Sequence, residues 1–74
     1  MSPALPVISG REAARIFGKA GWRIARQAGS HIIMVRDGST ATLSVPDHRE
    51  LARGTLRSLL RAAGMTVEAF LALR

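Results

Sequence analysis

Apolar residues first fall into a helical rhythm at Ala13, Ile16, Phe17 and Ala20, three and four positions apart, which gathers them on one face of an α-helix. Ser9-Gly10-Arg11-Glu12 stands before them at capping-box spacing, with the serine accepting from a first-turn N–H and the glutamate reaching back. Gly21 is placed to end the run in a left-handed conformation, so the pattern predicts a helix over about residues 10–20.

From Trp22 the period shortens to two. Trp22 and Ile24 alternate with Arg23 and Ala25, Gln27-Ala28-Gly29-Ser30 supplies turn residues, and His31-Ile32-Ile33-Met34-Val35 follows, which predicts a hairpin. Asp37-Gly38 signals a second turn, after which Ala41, Leu43 and Val45 alternate with Thr40, Thr42 and Ser44 up to Pro46. Three antiparallel strands are expected. Ile32 to Val35 is apolar at every position, as a middle strand covered on both sides would be, so a protein partner is expected over its second face.

After a polar connection, Thr55 to Ala63 sets Leu56, Leu59, Leu60 and Ala63 on one helical face, and Gly64 stops it. Thr66 is placed to cap a last short helix that buries Val67, Phe70 and Leu71 or Leu73. The expected order is α-β-β-β-α-α in one α+β domain over residues 1–74, with the helices on one face of the sheet.

Seventy-four residues make one small domain, which buries only about 60% of its unfolded surface. Without cysteine it has neither disulfides nor a thiolate zinc site, so packing alone must hold the core. The opening Met1-Ser2-Pro3-Ala4-Leu5-Pro6 lacks a basic segment followed by a long apolar run, and no stretch approaches the ~20 apolar residues of a membrane span. A cytosolic location is expected, with no cofactor.

Eleven Lys+Arg against five Asp+Glu give a net charge of +6, a dense positive field that favours polyanions. All the basic residues except Lys19 are arginine, whose planar fork suits phosphate and stacks on bases. Arg11, Arg15 and Lys19 lie four apart on the first helix, and Arg53, Arg57 and Arg61 do so on the second. Either row alone is equally what a solvated helix face looks like. Because like charges at this spacing destabilise a helix slightly, two rows together favour contact with a nucleic-acid backbone.

His31 follows Gly29-Ser30, where a strand leaves a turn and an imidazole is reachable by solvent. An imidazole can take and return a proton near neutral pH, although residue chemistry alone favours an ordinary strand histidine over a catalytic one. His48 sits in the polar run Asp47-His48-Arg49-Glu50, a poor metal site because its ligands do not converge at set spacings, and a position suited to hydrogen bonding or phosphate contact. No nucleophile elbow supports serine catalysis.

The run Pro46-Asp47-His48, Glu50-Leu51 and Gly54-Thr55-Leu56-Arg57-Ser58-Leu59-Leu60-Arg61-Ala62-Ala63-Gly64 resembles the C-terminal signature of the HicA toxins, messenger-RNA interferases of toxin–antitoxin pairs. Ser9-Gly10-Arg11-Glu12, Gly21-Trp22, Arg26-Gln27 and Gly29-Ser30-His31 resemble the family's N-terminal half in order and spacing, so the likeness runs from about Pro6 to Leu73. The resemblance implies a double-stranded-RNA-binding-domain-like α-β-β-β-α fold, metal-independent RNA cleavage, His31 as the catalytic histidine, and neutralisation by a HicB antitoxin. This chain departs from many members in having Ile32 in place of a second histidine and Arg53 in place of a proline.

RNA carries its own nucleophile, so cleavage without a metal needs a base for the 2′-OH, in-line geometry and cations against the charge growing on phosphorus. His31 is the expected base, and Arg26 and Arg57 are the expected phosphate holders. The rivals are a non-catalytic RNA-binding module of the same fold, which needs no histidine at a strand start, and a DNA-binding regulator, disfavoured because no helix-turn-helix spacing is visible.

Overall fold

A computed structural model describes residues 4–74; Met1–Pro3, part of the domain expected over 1–74 and of the segment read for a leader, lie outside the described residues. The elements are α1 (Gly10–Lys19), β1 (Arg23–Ala28), β2 (His31–Val35), β3 (Leu43–Pro46), α2 (Arg53–Ala63) and α3 (Val67–Ala72), in the α-β-β-β-α-α order expected. The strands form one antiparallel sheet in the order β1-β2-β3.

Helix α1 begins where Ser9 accepts a 3.0 Å hydrogen bond from the Glu12 N–H, which is half of the expected capping box. The other half does not form, because the Glu12 carboxylate turns along the helix to Arg15. Gly21 follows the helix at φ 98°. Helix α2 starts at Arg53 rather than Thr55: Ala52 is its N-cap, without a side-chain cap, and Ala52 O accepts from the Leu56 N–H. The chain is already fixed just upstream, where buried Leu51 donates its N–H to Ile8 O at 2.8 Å. Gly64, at φ 70°, closes α2 with Gly64 N–H donating to Arg61 O and Met65 N–H to Leu60 O, a Schellman end. Thr66 caps α3 by accepting from the Ala69 N–H.

The helices pack on one face of the sheet. Ile32 and Met34 of β2 and Leu43 and Val45 of β3 point into them, meeting Ala13, Ile16 and Phe17 of α1 and Leu56, Leu59, Leu60 and Ala63 of α2 in one core. Phe70 of α3 is fully buried, its ring 5.2 Å from that of Phe17. Leu5 and Ile8, which the sequence reading left without a role, are buried as well.

Two expectations for the sheet need correcting. Strand β3 starts at Leu43 rather than near Thr40, because residues 36–42 form a longer connection that opens with a turn, Ser39 N–H to Arg36 O, around Gly38 at φ 83°. Ile24 does not share the burial of Trp22: it is 60% exposed, whereas Trp22 is buried and carries the Arg36 guanidinium 5.0 Å from its ring centre. Strand β1 is an edge strand, exposed along its whole length. The middle strand is covered on one side only, leaving Ile33 and Val35 partly exposed on the other.

Candidate functional site

Alternation along β2 turns His31, Ile33 and Val35 to the face the helices leave open, and Ile32 and Met34 to the core. His31 pairs with Ala28 of β1 and Pro46 of β3, so its exposed side chain stands at one end of the sheet's open face between two small or stiff neighbours. None of the side-chain hydrogen bonds among the described residues engages it.

Arg26 reaches the same face because of an irregularity that the sequence pattern does not show. Ile24 pairs with Met34 and Arg26 with Ile33, leaving Ala25 as an extra residue in a β-bulge. In regular alternation Arg26 would share the core-facing side with Ile24; the bulge turns it to the open face and Gln27 to the helix side, opposite Ile32. Arg26 is thereby a diagonal cross-strand neighbour of His31, at a spacing of about 7–8 Å that a long side chain spans. An imidazole and a guanidinium on one exposed surface are groups chemically able to take a proton and to hold a phosphate.

Behind the histidine, on the helix side, Asp47 is the centre of a polar network. Arg11 donates to its two carboxylate oxygens through Nε at 3.2 Å and Nη2 at 3.3 Å, and Gln27 Nε2 donates to Oδ2 at 3.1 Å. The Asp47 N–H donates to Ser30 O at 2.7 Å, one step beyond the His31–Pro46 pair. Next to it, Gly10 N–H donates to His48 O at 2.9 Å, tying the start of α1 to the chain after β3. The Arg11 hydrogen bonds hold the Asp47 carboxyl below its ordinary pKa, helped by Gln27 and by the nearby His48, and outweigh the opposing effect of burial.

The two basic rows do not converge on His31. On α1, Arg11 is paired with Asp47 and Arg15 with Glu12, whose pKa the Arg15 hydrogen bond lowers while that of Arg15 is raised in return. Two of the three cations in this row thus have acid partners, and Arg11, Ala14, Arg15, Ile24, Gln27 and Ile32 line an open pocket between α1 and β1. On α2, Arg53, Arg57 and Arg61 are exposed and make no ion pair among the described residues, but they belong to the helix layer, across the sheet from the His31 side chain. Arg57 is therefore not a neighbour of His31 in the way Arg26 is. Among the described residues no three His, Asp or Glu side chains cluster as a metal site, and no helix is long and apolar enough to cross a membrane.

Similarity to known proteins agrees with this architecture. A solved structure described as a toxin–antitoxin complex from Streptococcus pneumoniae contains a chain that aligns with a TM-score of 0.70 and 29% identity, covering 78% of this chain and 98% of that one. No curated protein matches the sequence. The sequence model of the HicA toxin of bacterial toxin–antitoxin systems matches residues 10–65, from the first residue of α1 to just past the end of α2. With most of its length matched, including every strand and the two helices that pack on them, the chain belongs to the HicA toxin family.

Proposed function

We propose that this toxin is a metal-independent endoribonuclease that acts on messenger RNA in the cytosol and is held inactive by a HicB-type antitoxin. The observation that carries the reading is that an exposed His31 and its diagonal neighbour Arg26 share the sheet's open face, an arrangement the β-bulge brings about. His31 takes the proton from a ribose 2′-OH, O2′ attacks phosphorus, and the bond from phosphorus to O5′ breaks. Arg26 faces the charge that grows on the phosphoryl oxygens. The leaving O5′ takes its proton from solvent or from His48, so the products are a 2′,3′-cyclic phosphate and a 5′-OH. Arg53, Arg57 and Arg61 contribute at a distance, as a tract for the RNA backbone on the helix layer. Ile33 and Val35 give the antitoxin an apolar surface beside the catalytic histidine.

The test is cleavage of single-stranded RNA in excess chelator by the wild type and by His31→Ala. Loss of a general base costs ~10²- to 10⁴-fold in rate. Since His31 is exposed, stability should move by no more than ~0.5 kcal/mol, and RNA affinity should persist. His48→Ala should lower the rate less. Products carrying 5′-phosphate, or a folded His31→Ala protein that cleaves at the wild-type rate, refute the mechanism. RNA binding with no cleavage by the wild type puts the binding-module reading in its place.

A further inference from the structure

We infer that Asp47 is a positioning residue, one that fixes from behind the end of the sheet that presents His31. The proposal rests on His31 being the catalytic base, but its geometry stands apart from that. His31 is the first residue of β2, next to the Gly29 turn, and β1 gives it an exposed edge strand on one side. Such a strand start needs an external anchor if the imidazole is to keep one position. Three contacts of Asp47 provide it. Its N–H holds the carbonyl of Ser30, the residue before His31; its carboxylate holds Gln27, which pairs with Ile32, the residue after; and Arg11 ties that carboxylate to the first turn of α1.

These ties leave the catalytic side untouched. Gln27 and Asp47 lie on the helix side of the sheet, so the carboxylate does not meet a substrate on the open face, and Asp47 acts through the backbone that carries His31. The side chain of Asp47 is 19% exposed and that of Arg11 is 77% exposed, so the carboxylate is the covered centre of the network and the guanidinium its outer clasp. The Gln27 tie also depends on the bulge, which turns that amide toward Asp47. The same irregularity thus supplies the phosphate holder on one face and a link of the anchor on the other.

The experiment compares Asp47→Ala, Asp47→Asn and Gln27→Ala with the wild type, using Asp37→Ala as a control that removes an exposed acid paired with Arg23 at the far end of β1. Misplacement of a reacting group by about 1 Å can cost ~10²-fold, so Asp47→Ala should lower kcat by ~10- to 100-fold. KM should change less than about threefold, because substrate contacts remain. Asp47→Asn keeps an oxygen for Gln27 and should recover part of the loss, and adding Gln27→Ala to Asp47→Ala should cost less than the two separate losses combined. In NMR spectra the His31 ring signals should move or broaden in Asp47→Ala and Gln27→Ala and stay in place in Asp37→Ala. A folded Asp47→Ala protein with wild-type kcat and unmoved His31 signals overturns the proposal. If Asp47→Ala does not fold, Gln27→Ala decides it by the same two measurements. Should the wild type cleave no RNA, the functional reading falls while the ring signals still judge the anchor.

Discussion

Gly10→Ala offers a sharp test of how α1 is seated on the chain that borders His31. A Cβ at residue 10 would stand 1.8 Å from Pro46 O, 2.9 Å from the Pro46 carbonyl carbon and 3.2 Å from the Asp47 Cα. All three are backbone atoms, so no side chain can swing away. A carbon rests about 3.3 Å from a carbonyl oxygen, so the helix start must retreat by roughly 1.5 Å. That retreat breaks the 2.9 Å bond from Gly10 N–H to His48 O. The lost bond costs about 1 kcal/mol and the overpacking about 1–3, against at most about 1 returned by the better helix propensity of alanine. The net is a destabilisation of about 1–3 kcal/mol, a large share of the ~4–11 kcal/mol expected for a domain of this size. At about 4–8 °C per kcal/mol the melting temperature should fall by roughly 5–20 °C, read by far-UV circular dichroism and by Trp22 fluorescence. Gly18→Ala is the matched control. It lies in the same helix with nothing within 4 Å of the added carbon, and should raise stability by about 0.5–1 kcal/mol. If Gly10→Ala is as stable as the wild type, or gains as Gly18→Ala does, the close seating of α1 is refuted.

The arginine row of α2 predicts salt-sensitive RNA binding: replacing Arg53, Arg57 and Arg61 together by glutamine should flatten the slope of log affinity against log salt by up to about 2, at ~0.7 per phosphate on single strands. An unchanged slope in fluorescence anisotropy would return that row to an ordinary solvated face. On the open face, Ile33→Glu should leave the domain folded and weaken antitoxin binding at least ~10-fold by calorimetry, whereas Met34→Glu, on the buried side, should unfold the domain. Unfolding by both would mean that the second face is closed within the monomer. The lowered pKa of Asp47 sets a direction for acid stability. Its ion pair contributes fully above the ordinary carboxyl value of 3.8 and is lost as pH falls through the lowered value, so the melting temperatures of wild type and Asp47→Asn should differ near neutrality and converge in acid. A gap that persists in acid would show that the carboxylate charge is not its source.

Much of this was legible in the chain because local pattern and tertiary fate agree. The four-apart apolar positions of α1 and α2 lie on the core, Ser9 and Thr66 cap as serine and threonine do, and His31 is exposed at a strand start, as the turn before it implied. What escaped was decided between distant segments. Nothing in Arg23-Ile24-Ala25-Arg26 marks a bulge, because the partner strand's register creates it, and with it the face on which Arg26 lies. The Arg11–Asp47 pair joins residues 36 apart in sequence, so the α1 row looked like free charge. Leu5 and Ile8 carry no periodicity of their own, and their burial depends on a core assembled by later elements. The start of α2 is set by Leu51 anchored to Ile8, where Arg53 and Gly54 offer no start signal.

The bulge at Ala25 also bears on how the toxin behaves when it is concentrated. Strand β1 is a bare edge whose unpaired backbone groups would template pairing with another copy, and Ile24 is exposed on it. A second β1 laid along the first meets the extra residue partway and loses register there, with Arg26 adding like charge just beyond the bulge. Natural edge strands are commonly blunted by this combination of kink and charge. Deleting Ala25 would straighten the edge, so the irregularity that aims Arg26 at the open face also guards the free toxin against self-association into stacked sheets.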